Sequence, residues 1–540
     1  MAVAENPRPA SLKYPSTAAT DPPLLASPTH EATSLAENLE RSSLDAPTSL
    51  PTRSSDTDAK FDNVDLDEKL PHLSVTAKDD GIDNPTLFSS SLNSKAPRSQ
   101  RKVNAVLQFF RTSPEDRNPS QAYLLGIRGA LTISSFLYTF LLVFAPVTVK
   151  GAPGTDNKIG PLYERIIRQT LSVLFWNQSL IYSGFILLSA RTICLPFLAN
   201  PGKVAVASAV FRRGLRLWFP VAVALAFAKI ISSTTAKWAY MADFKGHTAN
   251  ESISVPYTLP TTLAYFNSVF NVFWITRRFS EQAGSTGFPG QNLWSLSAIY
   301  SQSYTIYMTM VIIPYTRPVW RVRVYIGFVL TAWWCQSWAW YSITGLAIAD
   351  AVCNMEFREK CKKGVSLPFG LQWRCPVWLL GGILIVAGGV MQYLWTAWRP
   401  EYENKELVAH TGLYYSGGLN TTIDENEPQA RDDSYLLLLG LGLVIESVAW
   451  VRRVLEIRVL RYIGRRSLSF FLAQSIIIYT IGIKLFMHLS IDRGVATVPT
   501  RIICLLVSAI TTLLGGEVFY RLIDYPSNVF AKRMFDWIRE

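Results

Sequence analysis

Residues 124–146 read LLGIRGALTISSFLYTFLLVFAP, an apolar run that contains a single charged residue, Arg128. A helix needs about 20 apolar residues to cross roughly 30 Å of hydrocarbon, where every backbone N–H and C=O must be bonded internally. Similar runs recur along the chain, so the predicted fold is all-α, a polytopic membrane bundle of about ten transmembrane helices. The predicted spans lie near 124–146, 170–190, 214–233, 293–314, 321–338, 339–353, 376–397, 435–452, 467–488 and 499–523.

The composition agrees with a membrane protein and divides the chain in two. Of the 540 residues, 49% are hydrophobic and 17% are charged, whereas soluble chains carry about 25% charged residues. Residues 1–118 are rich in Ser, Pro, Thr, Asp and Lys and lack a long apolar run, so we predict a disordered cytosolic tail there. Residues 119–540 form the predicted membrane domain.

Loop charge predicts how the chain crosses the bilayer. Lys and Arg are retained on the cytoplasmic side, and the basic segments alternate correctly only if residues 321–353 cross twice. Both termini are then cytosolic. The acidic residues 398–434, with a sequon at Asn420, and a second sequon at Asn250 fall in loops predicted to be outside. The basic segments are 98–111, 191–213, 317–323, 358–374, 452–466 and 532–533.

The sequence also bears on targeting. No cleavable signal peptide is visible, so we expect the first transmembrane helix to act as the targeting signal. The closing FDWIRE carries no retention signal, which leaves the plasma membrane and the secretory pathway both open. Residues 257–276 are apolar and aromatic but contain Pro, Asn and Thr, which is typical of a helix that lies at the interface or re-enters the membrane.

Two kinds of site are disfavoured by residue pattern. The net charge of +12 comes from basic residues in short loops, which membrane orientation explains better than nucleic-acid binding. The six cysteines are scattered, and none lies at ligand spacing from another cysteine or a histidine. The sequence therefore predicts no metal site.

Ionisable residues inside the predicted spans are functional candidates, because charge in lipid is costly. Snorkelling or capping near a helix end explains Lys229, Lys484 and Asp524 without a function. Glu446 and Glu517 lie deeper and are harder to explain in this way. The full set is Arg128, Arg216, Lys229, Asp350, Glu446, Lys484, Glu517 and Asp524.

The block FRRGLRLWFP at residues 211–220 places three arginines at the cytoplasmic end of a predicted helix. Arg212 and Arg213 precede Arg216 by four and three residues, a spacing that puts helical side chains on one face. Guanidinium groups can bind phosphates bidentately. A positive-inside anchor explains the same residues without a ligand.

Six short segments, in order, resemble the motifs of the acyltransferase-3 family of membrane acyltransferases, with the look of its fungal members. The family patterns are GLRG, FFxLSGR, RRxxRLxxP, LWT, LGxxSL and a closing acidic-x-Pro-Ser. Ten helices with both ends in the cytosol is also that family's architecture. The resembling segments are GIRGALT at 126–132, SGFILLSAR at 183–191, FRRGLRLWFP at 211–220, Leu293-Trp294-Ser295, Gly464 with Ser467-Leu468, and Asp524-Tyr525-Pro526-Ser527.

The resemblance implies an activity and a cofactor. The family transfers an acyl group, usually acetyl, from an acyl-coenzyme A donor to a hydroxyl of a carbohydrate or small metabolite. By this resemblance Arg128, Arg212, Arg213 and Arg216 would hold the phosphates of the donor. A histidine in the first helix would be the base that takes the proton of the hydroxyl.

The chain departs from the family at the positions that handle protons. The first-helix histidine is replaced by Thr139, the acidic residue after Trp294 by Ile299, and a later histidine by Gln474. If the chain is catalytic, a buried carboxylate with a raised pKa has to act as the base. The candidate replacement bases are Glu446, Glu517 and Asp350.

The sequence leaves three functions open: an acyltransferase, a transporter or flippase-like protein, and a catalytically inactive membrane subunit. The aromatic stretches 299–307 and 333–341 are typical of interhelical packing, and also fit a cavity for a sugar, polyprenyl or sterol-like substrate. The expected partners are the lipid bilayer and a small-molecule or carbohydrate acceptor. The acceptor and the oligomeric state stay open.

Overall fold

The computed structural model describes residues 121–150, 161–199, 202–248, 250, 253–275, 278–279, 281–366, 374–400 and 428–540. The predicted tail 1–118 and the sequon at Asn420 lie outside these residues. The described part is helical apart from one short hairpin, β1 (Val365–Ser366) paired with β2 (Arg374–Cys375). The predicted all-α class is therefore confirmed.

The described residues form twenty α-helices. The first eleven are α1 (Ala122–Phe144), α2 (Leu162–Thr170), α3 (Ser172–Phe175), α4 (Gln178–Ala199), α5 (Lys203–Thr234), α6 (Ala239–Thr248), α7 (Thr262–Trp274), α8 (Ala283–Thr286), α9 (Trp294–Ile312), α10 (Pro318–Trp334) and α11 (Ala339–Asn354). The others are α12 (Phe357–Lys363), α13 (Val377–Tyr393), α14 (Asp432–Ser447), α15 (Ala449–Leu455), α16 (Arg458–Arg465), α17 (Ser467–Ile477), α18 (Ile483–Met487), α19 (Thr497–Phe519) and α20 (Tyr525–Arg539).

Six helical stretches of the described chain are long and apolar enough to cross a membrane, as in a membrane protein. A seventh qualifies if α14 and α15, which are bent by 104°, count as one span. The predicted count of about ten is not confirmed. Helices α10 and α11 occupy their predicted positions but have only 17 and 16 residues, and α9 is rich in Ser, Thr and Tyr. The six stretches are Ala122–Phe144, Ser172–Ala199, Val204–Thr234, Val377–Trp398, Ser467–Asp492 and Thr497–Arg539.

Contacts at both ends of α10 show how it runs relative to α11 and α14. At one end, which we call the arginine end, the start of α10 meets the end of α11 through Arg321 and Asp350, with an N–O distance of 3.0 Å. At the opposite end, the Trp333 indole near the end of α10 donates to Asp432 at the start of α14 over 2.7 Å. Helices α10 and α11 are therefore antiparallel, whereas the double crossing of the membrane by residues 321–353 stays a prediction.

Backbone-to-backbone contact fixes α16 across α1. A Cβ added to Gly129 would lie 2.1 Å from the Leu460 carbonyl oxygen, and one added to Gly464 would lie 1.8 Å from the Leu125 carbonyl oxygen. Glycine permits such close approach of membrane helices because it has no side chain. The two helices are locked together at the arginine end.

The aromatic stretch 333–341 forms part of the core. The Trp340 ring stacks on Tyr435 with centroids 4.4 Å apart, and the Trp338 ring lies 5.9 Å from that of Trp294. All four rings are buried or half-buried. This geometry favours interhelical packing over a ligand-lined cavity for the stretch.

Two predictions concern the loop between α5 and α9. Residues 257–276 contain the helix α7, which has 13 residues and leaves Leu263 and Trp274 exposed. A helix of 13 residues is too short to span a bilayer, and its interfacial or re-entrant position stays a prediction. The Asn250 side chain is buried and donates to the carbonyl oxygens of Leu142 and Val143, over 3.2 and 2.8 Å. The Asn250 side chain is therefore inaccessible in this fold.

We predict that Gly129→Ala destabilises the protein by about 1–3 kcal/mol, because its methyl group would overlap the α16 backbone. The measurement is the thermal unfolding midpoint of the purified protein in detergent. Gly389→Ala is the matched control, since Gly389 is also helical but has open space around its Cα. Equal midpoints for the two variants would contradict the close crossing of α1 and α16.

Candidate functional site

A cavity of about 190 Å³ lies within the bundle near the arginine end. We call it the inner cavity. Its polar wall includes arginines from α1, α5 and α16 together with Asp524. Its apolar wall comes mainly from α4, α5, α9 and α17. The charged lining residues are Arg128, Arg213, Arg216, Arg465 and Asp524, and the apolar ones are Phe185, Leu188, Ile193, Leu217, Leu296, Ile299, Leu468 and Phe471.

A larger cavity of about 1060 Å³, the outer chamber, shares all five of these charged residues with the inner cavity. Among the described residues that line it, seven arginines and one lysine face two aspartates. Such an excess of one charge in a concave site attracts ions of the opposite sign. The outer chamber therefore suits a ligand with several negative charges. Its further charged residues are Arg212, Arg461, Lys532, Arg533 and Asp536.

All four arginines predicted to bind a cofactor, Arg128, Arg212, Arg213 and Arg216, line the outer chamber, although α1 and α5 are far apart in sequence. Four further basic residues line the outer chamber, although the sequence predicted them only as parts of cytoplasmic loops: Arg461, Arg465, Lys532 and Arg533. Their place in basic segments close to the resembling motifs could have indicated a role in the site.

Hydroxyl groups orient the central guanidinium. Arg213 donates from Nε to Ser303 Oγ over 2.9 Å and from Nη2 to Ser189 Oγ over 2.7 Å. Arg128 Nη2 donates to Thr192 Oγ1 over 3.0 Å. A neutral hydroxyl fixes the direction of a guanidinium without cancelling its charge. These bonds therefore join α1, α4, α5 and α9 around a cavity that keeps a positive field.

The candidate base Glu446 lies elsewhere, in a buried cluster at the ends of α1, α4 and α14. Its carboxylate forms an ion pair with buried Arg191, accepts from Tyr123 Oη over 2.6 Å, and accepts from Arg358 Nη2 over 3.1 Å. Burial alone would lower the pKa of Arg358, but Glu446 and Tyr123 raise it above its ordinary value. Two arginines and a phenol thus hold this carboxylate.

The other two candidate bases are also held by arginine. Asp350 accepts from Arg321 Nη1 over 3.0 and 3.2 Å. Glu517 forms ion pairs with Arg466 and, over 2.7 Å, with Arg521. Among the residues that the structure places along either cavity, Asp350, Glu446 and Glu517 are absent. The geometry favours a structural role for all three, and their catalytic role stays a prediction.

Of the three positions that differ from the family's motifs, one lies in the inner cavity, which Ile299 lines. The other two lie at Ser135 of α1. Thr139 Oγ1 donates to the Ser135 carbonyl oxygen over 3.0 Å, and Gln474 Nε2 donates to Ser135 Oγ over 2.8 Å. Two of the replaced positions therefore meet at one residue. Hydroxyl and amide groups can hold a hydroxyl there, but they do not accept a proton near neutral pH.

Asp524 is the carboxylate that lines both the inner cavity and the outer chamber. It is buried, accepts from Ser469 Oγ over 3.0 Å, and accepts from Asn528 Nδ2 over 3.3 Å. Its position near a helix end suggested capping when only the sequence was considered. The fold instead places it beside the arginines.

Comparison of the chain with protein-family models, with curated proteins and with solved structures finds no match. The resemblance to the acyltransferase-3 family therefore rests on the six segments quoted above. Within the described residues, no three His, Cys, Asp or Glu side chains lie together as a metal site.

We predict that Glu446→Gln lowers stability by about 3–5 kcal/mol, because it leaves Arg191 buried with its charge uncompensated. The measurement is the thermal midpoint in detergent, and the double variant Arg191→Met/Glu446→Leu should lose much less. Glu281→Gln is the control, since its pair with Arg278 is exposed and contributes little. A Glu446→Gln protein that keeps its midpoint but loses only activity would instead support a catalytic role.

Proposed function

We propose that this chain is a membrane acyltransferase that moves a short acyl group from acyl-coenzyme A to a hydroxyl of a carbohydrate or small metabolite. The observation that supports it most is the convergence of Arg128, Arg213, Arg216 and Arg465 on two adjoining cavities. Coenzyme A carries its phosphates at one end and its thioester at the other. A wide basic chamber leading to a narrow, partly apolar cavity matches that polarity.

The phosphates of the donor would occupy the outer chamber. Guanidinium–phosphate hydrogen bonds are charge-assisted and stronger than neutral ones. Arg461 and Arg465 of α16 add two further guanidinium groups to those of α1 and α5 in this lining. The lining thus supplies both the charge and the donors that a polyphosphate requires.

The thioester would occupy the inner cavity, the narrower of the two, with about 190 Å³ against about 1060 Å³ for the outer chamber. A narrow, partly apolar space suits an acetyl or similar short acyl group. Phe185, Leu296 and Phe471 supply its apolar surface.

Asp524 is the group best placed to act as the base. The acceptor oxygen attacks the thioester carbonyl, so that a C–O bond forms and the C–S bond breaks. Asp524 takes the hydroxyl proton and passes it to the departing thiolate sulfur, while an arginine of the same cavity stabilises the oxyanion. The products are an ester and free coenzyme A, and the carboxylate is regenerated.

The proposed topology has ten crossings, with both termini and the arginine end in the cytosol, in the plasma membrane or a secretory membrane. The antiparallel contacts of α10 with α11 support it. So does the loop charge, because the basic segments that follow α11 and α14 lie at the same end of the bundle, where Arg358 pairs with Glu446. Coenzyme A esters are then reached from the cytosolic side.

We predict that Arg213→Gln or Arg216→Gln weakens acetyl-coenzyme A binding about 10- to 100-fold, because each removes charge-assisted hydrogen bonds to phosphate. The measurement is equilibrium binding to the purified protein at low and high salt. Arg323→Gln is the matched control, since Arg323 packs over the exposed Trp320 ring on α10. Unchanged affinity in both cavity variants would remove the donor site from this cavity.

We predict that Asp524→Asn retains donor binding but lowers the rate of acyl transfer at least 100-fold, because the amide cannot take the proton. The measurement is release of free coenzyme A in the presence of hydroxyl acceptors. Asp536→Asn, in the outer chamber alone, should keep the rate. Full turnover by Asp524→Asn would exclude Asp524 as the base.

One observation favours a second function, that of a non-catalytic subunit. Thr139, Ile299 and Gln474 are neutral and packed where the family has its proton-handling groups. A subunit would bind the donor with the same arginine dependence, and the unmodified protein would release no coenzyme A. It would also co-purify with another membrane protein.

A further inference from the structure

The chain turns sharply where α14 gives way to α15. The two helices are bent by 104° at Val448. Arg452 Nη1 stabilises the bend by donating to the carbonyl oxygens of Ile445 and Glu446, over 3.1 and 2.5 Å. In the proposed topology α14 crosses the bilayer, so α15, bent by 104° from it, leaves it roughly in the plane of the membrane. We call residues 449–466, which comprise α15 and α16, the in-plane segment.

The inward side of the in-plane segment is fixed to the bundle. Gly464 abuts the Leu125 carbonyl of α1, and Arg461 and Arg465 line the outer chamber. Arg466 is paired with Glu517. These contacts leave the opposite side of the segment facing away from the protein.

The outward side combines large apolar residues with arginine. Trp450 is 69% exposed and Val459 is 62% exposed. Exposed apolar side chains in a fixed, basic helix are typical of interfacial helices, where Trp and Tyr lie at headgroup depth. The exposed residues of the segment include Trp450, Arg453, Val454, Ile457, Arg458, Val459 and Tyr462.

The net positive charge of the segment indicates the class of lipid that it would bind. Residues 449–466 contain six arginines and a single acidic residue, Glu456. Arg453 and Arg458 are the two exposed arginines, and they lie next to exposed apolar residues. Anionic phospholipids are concentrated in the cytosolic leaflet, the side on which loop charge places this segment. A zwitterionic surface also carries phosphates, but it has no net negative charge to attract these two arginines.

We propose that the in-plane segment is an interfacial anchor that binds the headgroups of anionic phospholipids, with Arg453 and Arg458 on the phosphate and carboxylate groups, Trp450 at headgroup depth and Val459 at the start of the acyl chains. The lipid-binding surface is separate from the outer chamber, because Arg453 and Arg458 face outward whereas Arg461 and Arg465 line the chamber. The in-plane segment therefore connects the chamber wall to the surface of the leaflet. This inference holds whether or not the chain transfers acyl groups.

The test uses the full chain in nanodiscs of phosphatidylcholine, with and without phosphatidylserine. Phosphatidylserine should raise the thermal midpoint of the unmodified protein, and native mass spectrometry should show retained phosphatidylserine. Arg453→Gln/Arg458→Gln should bind phosphatidylserine at least about tenfold more weakly. It should keep the unmodified midpoint in pure phosphatidylcholine, which checks its folding. Arg453→Lys/Arg458→Lys should retain most of the effect.

Two controls separate this surface from other anion sites. Lys362→Gln/Lys363→Gln removes two exposed charges from α12, and Arg216→Gln removes one from the cavity; both should keep the phosphatidylserine effect. An unchanged phosphatidylserine response in Arg453→Gln/Arg458→Gln would overturn the proposal. So would its loss in Arg216→Gln, which would place the lipid in the cavity. Inorganic phosphate that reproduces the midpoint shift would show a free-anion site instead.

Discussion

The buried carboxylate of Glu446, held between Arg191 and Arg358, is the interaction on which the arginine end depends. An unpaired charge is expensive in a protein interior surrounded by lipid, so this carboxylate must stay with its partners. Tyr123 adds a bond from α1, which brings that helix to the ends of α4 and α14. The position of α1, and therefore of Arg128, follows from this cluster.

The arginines of this end divide into two groups by the chemistry of their partners. Arg321 and Arg466 bond to carboxylates, as Arg191 does, and their charge is used within the bundle. Arg213 bonds to the hydroxyls of Ser189 and Ser303, which orient it and leave its charge in the cavity. The division explains how one fold can be stable in lipid and still offer a positive site to an anionic ligand.

The sequence predicted the part of the site that depends on short-range spacing. Arg212, Arg213 and Arg216 lie within one block, so their common location could be inferred from helical periodicity. Long-range pairing could not, because the partners Arg191 and Glu446 are separated by 255 residues. Composition alone also cannot give the number of membrane spans. Apolarity does not fix the length of a helix, and α11, which was predicted as a span, has only 16 residues.

In the proposed function, donor binding and proton transfer place different demands on side chains, and different residues of this chain would meet them. A guanidinium keeps its charge at any physiological pH, so a phosphate site made of arginine needs only geometry to persist. A base must exchange a proton, and the hydroxyl and amide groups at Thr139 and Gln474 do not. Asp524 lines the inner cavity, accepts from Ser469 and Asn528, and has a carboxylate that can take a proton. In the proposed function, the inner cavity therefore has to rely on this carboxylate for the chemical step, or the chain binds the donor alone.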